Sequence, residues 1–183
     1  MARPGGQRHG FVWAVLGLLT SLAVVGIPWN WLQTARRVPP IHDISTDTEN
    51  PPPFVAILPL RRDAPNSAEY GGPDVALQQH TAYPEVKTAT LNLLPDQAFA
   101  QALTAARERG WDIVAADLEE GRIEATGTTL WFGFKDDVVI RITPSDNGSR
   151  IDVRSVSRVG LSDVGTNARR IQNFLEQLHR IPD

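Results

Sequence analysis

Cysteine is absent from the 183-residue chain, which excludes disulfides, cysteine nucleophiles, zinc ribbons and cysteine-ligated iron–sulfur clusters. Its absence leaves the compartment open, because an oxidising compartment permits disulfides without demanding them. Acidic residues are absent from positions 1–37, where Arg3, Arg8, Arg36 and Arg37 give +4. The other 14 basic residues and all 21 acidic ones follow and give −7, which with the +4 returns the whole-chain −3. A basic head on an acidic body argues against nucleic-acid binding by the body, since phosphate neutralisation supplies most of that affinity. The chain has no P-loop, no G-x-G-x-x-G and no G-x-S-x-G, so the phosphate cradles and nucleophile elbow those motifs build are missing. With 42% hydrophobic and 21% charged residues, and 14 Gly and 14 Pro, it is neither disordered nor collagen-like. The length suits one domain with an appendage.

The appendage is an uncharged run from Phe11 to Leu32. A bilayer core needs about 20 mainly apolar residues as a helix. Trp29 and Trp31 lie at its far end, where amphipathic rings favour the headgroup zone, and Arg36 and Arg37 follow. Pro28 and Asn30 place the apolar core nearer Phe11–Ile27. Residues 1–37 therefore read as a single membrane anchor, with the N-terminus inside and the body outside. A cleaved secretory signal ending near Ser21-Leu22-Ala23 is the competing reading.

Residues 38–53 carry five prolines and read as an extended, semi-rigid linker with polyproline II character. His42, Asp43, Asp47 and Glu49 would be metal ligands only if packed elements held them, so a solvated stalk is expected.

The body, residues 54–183, alternates short strands with two clear helices. Phe54–Leu60 reads as a strand, 61–85 as irregular with a short helix near Asp74–His80, and Val86–Leu93 as a strand. Pro95 and Asp96 open a helix with an apolar stripe at Phe99, Leu103 and Ala106, closed by Gly110. Hairpins follow over 111–129, around Glu119-Glu120-Gly121, and over 137–157, around residues 144–149. In the second, a two-residue Asn147-Gly148 turn would set Arg141 against Arg154. A four-residue loop, Ser145–Gly148, sets Arg141 against Asp152 and Ile142 against Ile151, and is expected on cross-strand charge. Val164, Ala168, Ile171, Phe174, Leu178 and Ile181 mark a final amphipathic helix, capped by Ser162 or Asp163 and ended by Pro182. The expected fold is α+β: an antiparallel sheet with two helices on one face, preceded by one N-terminal transmembrane helix.

The chemistry-bearing residues do not form a complete set. Asp136-Asp137 in a strand face opposite sides and cannot share a proton. Glu176-x-x-His179 has di-iron spacing but lacks matching ligands on other helices. No catalytic residue, metal or cofactor is therefore assigned. The segment from Asp152 to Arg170 joins a strand to a helix start through Gly160, Ser162, Gly165 and Asn167, with Arg154 and Arg158 close by. A helix N-terminus beside arginines can hold an anion. Arg154, Arg158, Ser162, Asn167, Arg141 and Asp152 are thus the candidate binding residues for an anion or partner. A structural role is the competing reading, with the glycines for close approach and the arginines paired to Asp136, Asp137 or Asp152. Trp111, Trp131, Phe132 and Phe134 read as core, or else as a hydrophobic cleft under the final helix.

GWDIVAADLEEGRIEA (110–125), WFGFKDDVVIRI (131–142) and DVRSVSRVGLSDVGTNARRI (152–171), with PPIHDISTDTENPP (39–52) and Tyr83-Pro84, are similar to the bacterial and plant family catalogued as domain of unknown function 1499. The resemblance spans roughly residues 39–180. It implies a small α+β domain, often attached to membrane segments and envelope-associated, with His42–Asp43 and Arg154–Asn167 in the family pattern and no activity or catalytic residue to carry over. The functional expectation is a bacterial inner-membrane, single-pass protein. Its periplasmic domain would bind a lipid, a small anionic ligand or an envelope-protein partner. A hydrolase or lipid-modifying enzyme using Asp136, Arg141, Asp152 and Arg154 is the first alternative. A non-catalytic subunit of a membrane complex is the second.

Overall fold

The computed structural model describes residues 5–129 and 132–180. Arg3, Trp131, Ile181 and Pro182, named above, lie outside the described residues. The chain divides into two units, Met1–Val38 and Pro39–Asp183.

The first unit is one helix, α1 (Gly5–Arg37). Its Gly10–Asn30 stretch is long and apolar enough to cross a membrane, and none of it is buried within the protein. A secretion signal near the N-terminus has the same character. Thr20 and Ser21 donate their hydroxyls to the carbonyls of Leu16 and Gly17, both at 2.8 Å, so neither needs water. The helix continues through Pro28 to Arg37. Proline within a membrane-type helix is tolerated although it removes one backbone donor.

The second unit contains β1 (Asp43–Ser45), α2 (Pro73–Ala82), β2 (Ala89–Leu91), α3 (Pro95–Glu108), β3 (Asp112–Asp117), β4 (Arg122–Thr128), β5 (Lys135–Ser145), β6 (Gly148–Ser157) and α4 (Thr166–Arg180). The strands form one six-stranded antiparallel sheet in the order β1-β6-β5-β4-β3. Along the β1 edge, β2 pairs with the other half of β6. The expected α+β sheet with α3 and α4 on one face is present. Alternation sorts the side chains. Val138, Ile140, Ile142, Ile151 and Val153 point to the helices, where Phe99, Ala102, Ile171, Phe174 and Leu178 close the main core. Trp111 is buried in that core and stacks on Phe174 with ring centroids 5.3 Å apart.

The second hairpin has the expected register, with Arg141 opposite Asp152 and Ile142 opposite Ile151. Pairing runs one step beyond the expected four-residue loop, to Ser145 and Gly148, leaving Asp146-Asn147 as the turn. The first hairpin turns at Gly121, whose φ of 60° suits glycine and whose Cβ, if present, would strike the Ile142 carbonyl. Gly110, with φ of 70°, ends α3 as expected.

Three expectations are corrected. Residues 38–53 are not a solvated stalk. Asp43–Ser45 pair with β6, and Ile41, Asp43, Ile44, Ser45 and Pro52 are buried. Prolines kept this segment from reading as a strand, yet β1 lies between the proline clusters and needs only its own three residues. Phe54–Leu60 is not a strand but a turn leading into a 3-10 helix, Leu58–Arg61. Pro59 cannot donate to a ladder. Of Val86–Leu93, only Ala89–Leu91 pair, because the Val86 amide turns back to the Tyr83 carbonyl at 3.1 Å.

Candidate functional site

The sheet face turned away from the helices is covered by residues 46–70 rather than by water. A small apolar cluster of Phe54, Ile57, Val139 and Val156 lies there. Around it runs a layer of charged side chains from alternate strand positions. Asp137, fully buried, accepts from Arg61 Nη1 at 2.6 Å and from Arg158 Nε and Nη2, both at 2.9 Å. Burial pushes its carboxyl up, but hydrogen bonds from Arg158, Thr126 and Arg61 together outweigh that and hold it below the ordinary value. Asp152 is held low in the same way, against its burial, by Thr88, Arg141 and Arg150.

Arg154 is buried and forks onto Asp43, with Nε to Oδ1 at 2.9 Å and Nη2 to Oδ2 at 2.8 Å. It also donates to the carbonyls of Pro52 and Ala68. Its guanidinium lies 5.2 Å from the Phe54 ring centroid and 5.4 Å from that of Tyr70. Burial, larger than the opposing pull of Arg154, raises the Asp43 carboxyl. Glu124 is also fully buried. The backbone amides of Val55, Ala56 and Ile57 donate to its carboxylate at 2.9–3.1 Å, and Arg122 pairs with it. Three successive amides converging on one anion form a nest, filled here by the chain's own side chain.

The structure therefore separates the six sequence-derived binding residues. Arg141, Asp152, Arg154 and Arg158 share the covered face. Arg141 donates to Asp152 at 2.9 Å and to Asp47 at 3.0 Å. Asn167 lies on the helix side, buried, accepting from Ser155 at 2.6 Å and donating to the His42 carbonyl and Ser157 Oγ. Ser162 donates to the Pro39 carbonyl at 3.3 Å. The start of α4 is occupied by Asp163, whose oxygens accept from the amides of Gly165 and Asn167 at 2.8 and 2.7 Å. An anion expected there would compete with that carboxylate, which burial raises above its ordinary value. Asp136 and Asp137 face opposite sides, Asp136 meeting Arg170 at 2.5 Å beneath α4. The enzyme set of Asp136, Arg141, Asp152 and Arg154 is thus split across the sheet.

His42, Asp43, Asp47 and Glu49 do not gather, since Asp43 and Asp47 face arginines. Among the described residues no group of three or more His, Asp or Glu could hold a metal. Glu176 pairs with Arg180, and His179 Nδ1 meets the Leu175 carbonyl on an exposed helix face. Phe132 and Phe134 are exposed and stacked on each other at 5.5 Å rather than placed in the core.

An open groove lies instead between the end of α3 and α4 along Thr166 to Gln177, lined among others by Glu108, Arg109, Trp111, Arg169, Arg170 and Gln177. Arg109 donates to Gln177 Oε1 at 2.8 Å, and Gln177 in turn donates to Glu108 at 2.8 Å. Arg170 is neutralised by Asp136. Among the described residues Arg169 donates to Val164 O and Thr166 Oγ1. Among the described residues no carboxylate makes an ion pair with Arg109 or Arg169. Burial, and then the charge of Arg170, lowers the Arg109 pKa. The groove sets three guanidiniums against the carboxylates of Glu108 and Asp136, and an excess of guanidinium stabilises a carboxylate or phosphate placed beside it. The sequence held one signal of it. Arg169 and Arg170 sit near the positive end of α4, where the helix dipole disfavours cations.

The model of the family described as "Protein of unknown function (DUF1499)" matches residues 43–178. No curated protein matches the chain. Among solved structures, the crystal structure of protein CV1439 from Chromobacterium violaceum is similar at 12% identity and a TM-score of 0.34, covering 52% of this chain and 96% of that one. A likeness of that size carries no argument about function.

Proposed function

We propose that this chain, which belongs to the DUF1499 family, is a membrane-tethered binding module whose α+β domain takes an anionic ligand in the groove between α3 and α4. The observation that carries the reading is that Arg109, Arg169 and Arg170 line one groove with Trp111, against the carboxylates of Glu108, which also lines it, and Asp136, which pairs with Arg170. A phosphate or carboxylate headgroup supplies the missing charge, and the indole edge gives it an apolar neighbour. Hydrolysis is less well supported, because the acids that would perform it are divided between the two faces and engaged by arginines.

The domain is placed on the periplasmic side of a bacterial inner membrane. Arg3, Arg8 and the amino terminus precede the apolar run and Arg36 and Arg37 follow it, and the larger number of basic groups before the run favours the N-terminus inside. A phosphatase reporter fused after Asp183 should be active and a fluorescent-protein fusion dark; the reverse pattern turns the domain to the cytoplasm.

The binding test uses the full chain in neutral detergent, titrated with glycerol phosphate while tryptophan emission is followed. Saturable change is expected. The Arg109→Gln/Arg169→Gln chain should bind at least about tenfold more weakly, the loss of one or two charged hydrogen bonds. Identical titrations of parent and variant would remove the groove from the account.

A further inference from the structure

One end of the domain gathers exposed apolar side chains and also receives the chain from α1. Ser162 donates to Pro39 O, the Asp163 amide to Ile41 O at 3.2 Å, and the Ser157 amide to His42 O at 3.0 Å. The incoming segment is therefore bound to the β6–α4 connection. Leu161, 83% exposed, and Val159 project from that connection. Beside it the Arg158 amide donates to Lys135 O at 3.0 Å, which places the β4–β5 connection with its exposed, stacked Phe132 and Phe134 at the same end. Leu60, also exposed, is brought there by Arg158 Nη1 on its carbonyl at 3.2 Å.

We infer that this end of the domain rests on the lipid surface, with Phe132, Phe134, Val159 and Leu161 as its apolar contacts. The inference depends on the reading of α1 as a membrane anchor. Seven residues of α1 follow Asn30, the last of the apolar stretch, and a helix rises about 1.5 Å per residue. Val38 alone separates Arg37 from Pro39, adding at most about 7 Å. Pro39 thus lies within roughly 17 Å of the hydrocarbon edge, close to the headgroup layer. Exposed aromatic and aliphatic tips at that depth find an interface suited to them.

Charge points the same way. The opposite end of the sheet holds the turns with exposed Glu119 and Asp146, which an anionic surface repels, while Glu120 pairs with Arg122. At the Pro39 end Asp136, Asp137 and Asp163 are engaged by arginines or amides, exposed Asp63 follows exposed Arg62 in the chain, and Lys135 is exposed.

The absence of native cysteine makes single-site labelling direct. The full chain carrying Leu19→Cys, Phe134→Cys, Leu161→Cys or Asn147→Cys is labelled with an environment-sensitive fluorophore. Each is reconstituted into phosphatidylethanolamine–phosphatidylglycerol vesicles with or without brominated acyl chains. Labels at 19, 134 and 161 should emit to the blue and lose most of their emission to the brominated lipid, while the label at 147 should not. Quenching at 19 with 134 and 161 behaving like 147 overturns the surface contact and leaves the anchor standing. No quenching at 19 overturns the anchor, and the surface contact with it.

Discussion

Arg154 and Asp43 form a two-pronged ion pair, at 2.9 and 2.8 Å, between the centre of β6 and an edge strand more than a hundred residues away. It fastens the segment that follows α1 to the sheet. It also shows the general arrangement of the covered face, where each cation brought up by the strands meets an acid or carbonyl from elsewhere in the chain.

Removing one partner should be worse than removing both. Asp43→Ala leaves a guanidinium buried without its counter-charge, and breaking such a pair costs about 3–5 kcal/mol. The double change Asp43→Leu/Arg154→Met should recover much of that loss, because matched apolar residues avoid the desolvation cost. Urea denaturation of the parent, single and double variants reads this. A double variant as unstable as the sum of its parts would show that the pair does not act as a unit.

Glu124 should govern the fold of residues 55–57. Replacing it by Ala strips the acceptor from three amides and the counter-charge from Arg122, a loss of about 1–3 kcal/mol or more. Hydrogen exchange should accelerate at Val55, Ala56 and Ile57 well before the β5–β6 amides respond. Unchanged protection there would mean that Pro59 and the apolar contacts of Ile57 alone set the turn.

Acid stability should depend on Asp137 and Asp152. Both carboxyls lie below their ordinary value of 3.8 in the folded chain. A depressed carboxylate contributes stability that is present above its unfolded pKa and lost as pH falls through the folded one. Stability should therefore drop below about pH 4. The drop should be shallower in Asp137→Asn, at the cost of lower stability at neutral pH. Chemical denaturation between neutral pH and pH 3 checks the slope.

Alkaline stability should depend on the tyrosines, of which the chain has two. Burial pushes the phenols of Tyr70 and Tyr83 up to about 12. A phenol raised in the folded state contributes stability below its unfolded pKa near 10 that is lost as pH rises towards the folded value. Absorbance at alkaline pH should show little tyrosinate in the native chain where the denatured chain is already half ionised. Ordinary titration of the native chain would place both hydroxyls in water.

The sequence by itself determined the elements whose information is local. Apolar stripes wrote α3 and α4, strict alternation wrote β5 and β6, and Gly110 and Gly121 wrote the stops, since period and permitted φ are properties of neighbouring residues. Even the β5–β6 register was legible, because one slip brings Arg141 against Arg154 and the other brings it against Asp152. The family motifs were legible for the same reason, lying largely within contiguous elements. What only the tertiary structure decided was which distant groups meet. Asp43 read as a stalk residue because nothing near it in the chain reveals Arg154. Glu124 read as an ordinary strand acid because its ligands are amides, which every residue carries. The basic groove needed the end of α3 laid beside α4, where Arg109 and Glu108 meet Gln177. The apolar end needed three connections brought to one place. Long-range pairing of charges and amides leaves no period in a sequence, so only the folded chain could display it.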